Sequence, residues 1–473
     1  MIAIDCTSDK KELTNIGLIT LLAGLLLPLI DFSILNVALS SIADSIHASH
    51  VELELMVAIY GVAFSVSIAM AGKLGDSYGR RRLFCYGVTL FGLASLACGL
   101  SNSIEMLLIA RGVQGIGAAL LIPQILATIH ISLSGKRHSI AIGSYSSIGG
   151  MAFILGQLLG GWLVFANIAD LGWRSVFLVN VPISIVILIG AWLWIPETTG
   201  NRKTAIDWSG TCLLALALMC LLLAISLGPL FHWTWPFLSM LVAVVPLLLI
   251  LWNVEKAKEN KQLTTLLPPT LMRQANVQFS FILAMLMFTS WGGFMFSVAL
   301  VLQSGLGFLP IESGNSFIAM GATFFIGSIL SPKVVAKLGN LKTVILGCVL
   351  QLPFLISLIL TFHMTWADLN ELILMPATAG MGFAQAFIVT GFFRIGLAKI
   401  QKEQAGTASA MLATIQQATL AIGTALLGTV TYQVLESTGD YLTAITTMLL
   451  CELFAMVLLT CAACWFYSKR QVR

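Results

Sequence analysis

Stretches of almost unbroken apolar sequence, each long enough to cross a bilayer, recur along the whole chain with short charged gaps between them. The runs fall at 15–40, 52–72, 84–101, 105–131, 139–165, 174–195, 209–229, 234–252, 277–303, 313–333, 341–362, 371–396, 406–433 and 442–467. About 20 apolar residues span the hydrocarbon of a membrane. Backbone there must satisfy its own hydrogen bonds, so each run is predicted to be a helix. The result is an all-α membrane protein of about 14 helices with both termini on one side. Only 10% of the residues are charged, against about 25% in soluble chains, and this excludes a soluble multidomain fold.

The cations test the helix count. With the N-terminus placed in the cytoplasm, every second gap collects them: Lys10 and Lys11; Lys73 and Arg80 to Arg82; Lys136 and Arg137; Arg202 and Lys203; Lys256, Lys258, Lys261 and Arg273; Lys333, Lys337 and Lys342; Lys399 and Lys402; Lys469, Arg470 and Arg473. Arg394 lies near the cytoplasmic end of its helix, and Arg111 and Arg174 lie within or at the start of a span. The outer gaps and their flanks carry acids instead, among them Asp44, Glu52, Glu105, Asp170 and Glu436. The positive-inside rule therefore supports both the count and the orientation, a multi-pass protein of the inner (cytoplasmic) membrane with cytoplasmic termini. The first run is longer than the h-region of a signal peptide and lacks a clean small-x-small cleavage site, so it reads as a retained helix.

Nine cysteines are scattered, most within apolar runs, and read as small hydrophobes. Cys461 and Cys464 have redox spacing but no histidine or second cysteine pair near them, so neither a metal site nor an oxidoreductase motif is expected. The longest cytoplasmic gap, "EKAKENKQLTTLLPPTLMRQ", is charged and then interrupted by Pro268 and Pro269. The expected organisation is a six-helix bundle at 14–196, two extra helices at 208–252 placed at the periphery, a cytoplasmic linker at 253–276, and a second six-helix bundle at 277–468.

The gap between the second and third spans reads "GKLGDSYGRRR". An ordinary positive-inside loop explains its arginines but not its aspartate and glycines. Gly72, Leu74, Asp76, Gly79, Arg80 and Arg81 resemble the signature of the major facilitator superfamily, Gly-x-Leu-x-Asp-x-x-Gly-Arg-Arg/Lys. Glycines there permit a tight turn, and Asp76 can face a helix N-terminus or an arginine across the bundle interface. The resemblance implies that this turn latches an inner gate.

Further motifs agree in order. "LLIARGVQGIGAA" (107–119) is similar to the fourth-helix motif of the superfamily, where the arginine matching Arg111 is associated with proton coupling. A cation within a span should face the bundle interior or a water-filled cavity. "AFILGQLLGGWL" (152–163) resembles the fifth-helix antiporter motif through Gly156, Gly160 and Gly161, with Gln157 where a proline is usual and Ala152 where a glycine is. Small residues on one face let helices pack closely. "LIDFSILNVALSSIA" (29–43) resembles the first-helix motif of 14-span drug:proton antiporters through Asp31, Asn36, Ala38 and Leu39. "WRSVFLVNVPI" (173–183) and "AGTASAMLATIQQATLAIGTALLG" (405–428) are also familial. "GSILSPKVVAKLGNLKT" (327–343) stands where a second copy of the opening motif would fall, since halves of such transporters repeat, but it lacks the aspartate.

The resemblance covers nearly the whole chain and implies a proton-coupled exporter of lipophilic, cationic drugs or biocides. It implies no cofactor, a proton gradient as driving force, and a monomer. A carboxyl inside a span is suited to proton exchange, which nominates Asp31 and Glu452, with Arg111 beside them. The expected substrate cavity takes Asp31, Asn36, Tyr60, Tyr145, Trp291, Phe294 and Gln416, its aromatics offering cation–π contacts. Exporters of divalent cations often carry an acid in the second helix before an Ile-Tyr pair; here Ala58 stands there, and Glu54 lies one turn earlier, nearer the outer surface. A metabolite or siderophore exporter and, on the same fold, a nutrient symporter are the alternatives. No Walker loop, Ser-His-Asp arrangement or histidine cluster points to ATP-driven transport, to an enzyme or to nucleic-acid binding.

Overall fold

The computed structural model describes residues 13–198, 207–398, 400 and 405–471, and all regular structure among them is helical. Lys10, Lys11, Arg202, Lys203, Lys399, Lys402 and Arg473, and the side chains of Asp76 and Arg470, lie outside the described residues.

Fourteen long helices follow one another: α1 Asn15–Ile46, α2 His50–Tyr78, α3 Arg80–Gly99, α4 Ile104–Ser132, α5 Gly135–Ala166, α6 Gly172–Trp194, α7 Trp208–Leu227, α8 Trp235–Asn260, α9 Ala275–Gly305, α10 Pro310–Leu338, α11 Asn340–Asp368, α12 Glu371–Gly396, α13 Ala405–Thr438 and α14 Tyr441–Gln471. Among the described residues thirteen contain a stretch long and apolar enough to cross a membrane, and in α5 the described apolar stretch is Leu155–Ala166.

Polar residues at the gaps start the helices. Thr14 accepts from Gly17 N–H, Ser103 from Met106 N–H and Asn370 from Ile373 N–H. Ser49 and Glu52 close a capping box on α2. Several spans are not regular, α1 and α9 among them. Pro28 lies inside α1, which passes through a 3-10 turn at Leu35–Ala38 soon after Asp31. In α9, π-helical segments at Ala284–Phe288 and Val301–Gly305 bracket Trp291 and Phe294. Such segments commonly mark functional regions of helices.

The first six helices pack among themselves, α4 against α2 and α3, and α1 against α5 and α6. The last six do the same, α12 against α10 and α11, and α9 and α14 against α13. The two groups meet along α2–α13 and α5–α10. α7 leans on α2 and α13, and α8 packs on α7 with most of its surface facing outward, as a peripheral pair would.

Contacts between gaps show which ends lie together. Arg137 donates to the Leu13 carbonyl and Asn15, Arg81 to the Ile195 carbonyl, and Lys73 to the Thr265 carbonyl. Lys342 sits 5.4 Å over the Tyr467 ring. The cation-rich ends of both groups thus form one face. The cation-poor ends form the other, where Arg174 reaches the Ser101 carbonyl and His363 meets Thr446.

The weak repeat in the sequence has a backbone counterpart. Gly79 joins α2 to α3 at φ +101° and Gly339 joins α10 to α11 at φ +82°. The two joints differ in surroundings: a Cβ on Gly79 would come within 2.7 Å of Glu197, whereas Gly339 has open space around it. Replacing either by alanine is predicted to lower stability by about 1–3 kcal/mol through the left-handed backbone alone. Gly79→Ala should fall at or beyond the upper end and Gly339→Ala at the lower end. Thermal unfolding of the purified variants in detergent checks both; equal losses would remove the Glu197 contact from the account.

Candidate functional site

Asp31 sits at the meeting point of α1, α3, α4 and α6, and neither it nor Arg111 is exposed to solvent. Arg111 Nη1 lies 2.5 Å from Asp31 Oδ2. The other carboxyl oxygen, Oδ1, accepts from Gln114 Nε2 at 2.8 Å and Asn180 Nδ2 at 2.9 Å. The same two amide groups donate to Ser95 Oγ, each at 3.0 Å, and Ser95 in turn donates to the Phe177 carbonyl. Arg111 and Gln114 are three residues apart and therefore share a face of α4, and Arg111 Nη1 also donates to Gln114 Oε1 at 2.6 Å.

The guanidinium is held from its other side too. Its Nε points at the Met56 carbonyl, and its centre lies 4.2 Å from the Tyr60 ring centroid and 5.8 Å from that of Phe177. Tyr60 is fixed by donating to the Pro28 carbonyl at 3.0 Å. Arg111 Nη2 has no hydrogen-bond partner. The pair is thus charge-assisted, multiply bonded and surrounded by apolar side chains. Removing one member of such a pair strands the other and costs about 3–5 kcal/mol.

The fifth-helix motif packs in two directions. Gly156 and Gly160 let α5 approach α1: a Cβ on either would come within 2.6 Å of the Ile30 or the Ile34 carbonyl. Gly161 faces α10, where a Cβ would lie 2.6 Å from the Pro310 carbonyl. Gln157, fully buried, presents its backbone carbonyl to Gly314 and its amide to Met295 Sδ at 3.6 Å, and its Oε1 has no partner. Nearby, Gln303 accepts from Ser40 at 2.6 Å and donates to Ser313 and towards the Asn36 carbonyl. Asn36 is 1% exposed with both carboxamide atoms unpartnered. The seam between the two groups, at its cation-poor end, is therefore closed and lined by carboxamides.

At the opposite face, Glu197 follows α6 and serves the opening motif. It accepts from Arg81 N–H at 3.1 Å and lies 3.8 Å and 3.7 Å from the side chains of Arg81 and Arg82. Arg80 N–H donates to the Thr198 carbonyl. Gly75 faces the Gln124 side chain, while Gly72 has room around it. Lys73 lies beyond the membrane-crossing stretch His50–Ile68, and burial holds its ammonium below the ordinary range, the carboxylates of Asp207 and Glu255 working the other way. Asp207 and Glu255 accept from the backbone of Leu266 and Leu267, so the linker whose Thr265 carbonyl meets Lys73 is itself tied to the base of α7 and α8.

The remaining expected site residues are dispersed. Trp291 and Phe294 are buried in α9, edge-on to Phe324 at 5.8 Å and Phe317 at 6.3 Å. Tyr145 and Gln416 are half-buried. Glu452 is 1% exposed on α14, with its Oε2 unpartnered. Arg394 donates to Ser331. One residue escaped the sequence reading. Ser95, in a run of small apolar residues, carries no signal that separates it from a packing serine. Glu54, read from the sequence as one turn before Ala58 and nearer the outer surface, is 2% exposed within the seam, a burial that depends on the other helix group.

The family model of the Major Facilitator Superfamily matches residues 21–211 and 200–424. The chain belongs to the major facilitator superfamily. Among curated superfamily members it is 31% identical to "Probable actinorhodin transporter" of Streptomyces coelicolor over 418 residues, covering 88% of this chain and 72% of that one. It is 30% identical to "Multidrug resistance protein Stp" of Mycobacterium tuberculosis over 419 residues, 87% of this chain and 75% of the other. With "Tetracenomycin C resistance and export protein" of Streptomyces glaucescens it shares 27% over 424 residues, 87% and 74% of the two chains. Two solved structures share the superfamily fold: the human organic anion transporter MFSD10 (TM-score 0.60, 17% identity, 93% of this chain and 98% of that one) and a POT family transporter in complex with 5-aminolevulinic acid (0.66, 12%, 96% and 95%).

The pairing of Asp31 with Arg111 makes a prediction about energetics. Arg111→Met alone should destabilise the protein by about 3–5 kcal/mol, because it leaves a buried acid without its cation. Adding Asp31→Leu to it should restore much of the loss. A double-mutant cycle by thermal unfolding measures this; additive losses would contradict a direct pair.

Proposed function

We propose that this chain exports small lipophilic molecules across the inner membrane in exchange for protons, by alternating access, with both termini in the cytoplasm and the chain acting as a monomer. The observation that carries the reading is the Asp31–Arg111 pair, a carboxyl and a guanidinium sealed inside the first helix group and held by Gln114 and Asn180.

Ionised acids and cations are costly inside a membrane and persist where they pair or serve a pathway. In the proposed cycle a proton from the outer side reaches Asp31, neutralises it and releases Arg111 from its partner. Gln114 and Asn180 then keep the carboxyl in place while the guanidinium, over Tyr60, is available to the interior between the groups. Loss of the proton to the cytoplasm restores the pair. The two groups tilt about the centre, and the Arg81–Glu197–Arg82 cluster keeps the signature turn fixed to the end of α6 within the first group. The structure's closed cation-poor end corresponds to the inward-facing member of this cycle.

The relatives' names, a multidrug resistance protein and two handlers of defined antibiotics, support export as the direction. Lipophilic cations remain the proposed cargo. A second reading, a defined metabolite, is favoured by the carboxamides of Asn36, Gln157 and Gln303 at the seam, which suit hydrogen-bonding neutral cargo.

Everted vesicles test the coupling. With ethidium as the cationic probe and puromycin as a second one, energised vesicles should accumulate one or both, and an uncoupler should collapse the uptake. Asp31→Asn at normal protein level should reduce the rate by about a hundredfold, the loss of one buried charge partner expressed as a barrier. Unchanged uptake in Asp31→Asn would remove Asp31 from coupling; uptake that ignores the uncoupler would remove the proton.

A further inference from the structure

Glu54 is a buried acid that the cycle above does not use. It lies on α2, one turn past the Ser49 cap, where that helix runs against α13 of the other group. It is 2% exposed. Its polar partner is the hydroxyl of Thr429, on α13, which donates to Glu54 Oε2 at 3.1 Å. Gly428 beside it makes the space: a Cβ there would lie 2.9 Å from Glu54 Oε1. The same hydroxyl is 3.4 Å from the Ile225 carbonyl of α7, so three helices close around the carboxyl.

Among the described residues, no lysine or arginine pairs with it. From α2 itself, Glu52 is engaged by Ser49, and His50 packs on the Tyr432 ring of α13 with centroids 5.1 Å apart. From α13 come Thr429 and Tyr432, and from α7 a carbonyl. From α4, Arg111 reaches the Met56 carbonyl one turn along, but its charge is taken by Asp31. Burying an ionised carboxylate with neither a cation nor several donors is far more costly than burying the acid.

We propose that Glu54 is a second proton-linked carboxyl, and that its protonation sets whether the cation-poor ends of the two helix groups can close. The acid form fits the seam: it can donate to a carbonyl or accept from Thr429, and it needs no counter-ion. The ionised form must be met by water, which requires α2 and α13 to part. The proton comes from, and returns to, the solvent on the cation-poor side as the seam opens, and water replaces Thr429 at the carboxylate. In effect, acid on that side favours the closed seam and alkali the open one. This shifts a pre-existing equilibrium rather than adding a state. The inference rests on the alternating-access reading, but not on Asp31 as the transported-proton site.

Hydrogen–deuterium exchange of the full chain in detergent, corrected for the intrinsic pH dependence of exchange, reads the seam without any substrate. Peptides covering 50–60 and 425–436 are expected to be protected at mildly acidic pH and to exchange faster by about tenfold or more at alkaline pH, one unit of proton linkage corresponding to tenfold. Peptides of α3 should not change. Glu54→Gln should keep the seam protected at both pH values, and Thr429→Val should retain the pH response. Asp31→Asn should also retain it, so failure of the Asp31 reading leaves this test standing. A flat wild-type profile, or a Glu54→Gln protein that follows the wild type, overturns the proposal. Should Glu54→Gln not fold, the wild-type profile decides: seam protection at acidic pH that is lost in alkali supports the proposal, and a flat profile overturns it.

Discussion

A carboxylate and a guanidinium held at 2.5 Å, both fully buried, set the terms for the first half of this molecule. Neither charge could stand alone in hydrocarbon, so each fixes the other, and together they recruit polar side chains from four helices. α1 is brought to α4 by Arg111 and Gln114, to α6 by Asn180, and indirectly to α3 by Ser95. Packing of small residues does the rest, as the close approach of Gly156 and Gly160 to α1 illustrates. The charge pair gives the group its interior, and the glycines give it its tightness.

The two groups meet through different chemistry at different depths. At the cation-poor end, Gly161 against Pro310, Gln303 with Ser40, and Glu54 with Thr429 form a close, polar seam. At the cation-rich face, Glu197 holds Arg81 and Arg82 within the first group, and Lys73 reaches the linker tied to α7 and α8. The inserted pair is thus fastened to the turn that carries the superfamily signature. A change in the tilt of α2 would be felt at three places: the seam at Glu54, the stack of Tyr60 on Arg111, and the Lys73–Thr265 contact. Interfaces of this kind are bistable rather than gradually deformable.

Much of this was legible in the sequence, because membrane helices announce themselves by length and their ends by cations. The long apolar helices, and the burial of Asp31 and Arg111 inside the protein, follow from where charge is tolerated in oil. The partners were harder. Gln114 and Asn180 stood inside quoted motifs, but nothing in their spacing, 66 residues apart by subtraction of their numbers, says that they bind one carboxyl oxygen. Ser95 carries no pattern at all. The place of Glu54 near the outer end of α2 could be read, but not its burial, which depends on α13 lying across it from more than 370 residues along the chain. Long-range packing between the two groups is what a single sequence withholds. The glycine joints at Gly79 and Gly339 are a middle case: a faint repeat in letters, a plain one in backbone angles.

The central claim is exchange of a proton for cargo, and proton counterflow measures it most directly. The purified chain would be reconstituted into vesicles loaded with a compound that it carries, with a pH dye trapped inside and no imposed proton gradient. As the compound runs down its own gradient, protons should move the opposite way in fixed proportion, and clamping the pH on both sides should let the flux run on because no opposing proton gradient builds up. Efflux of the compound with no accompanying proton movement would contradict the account.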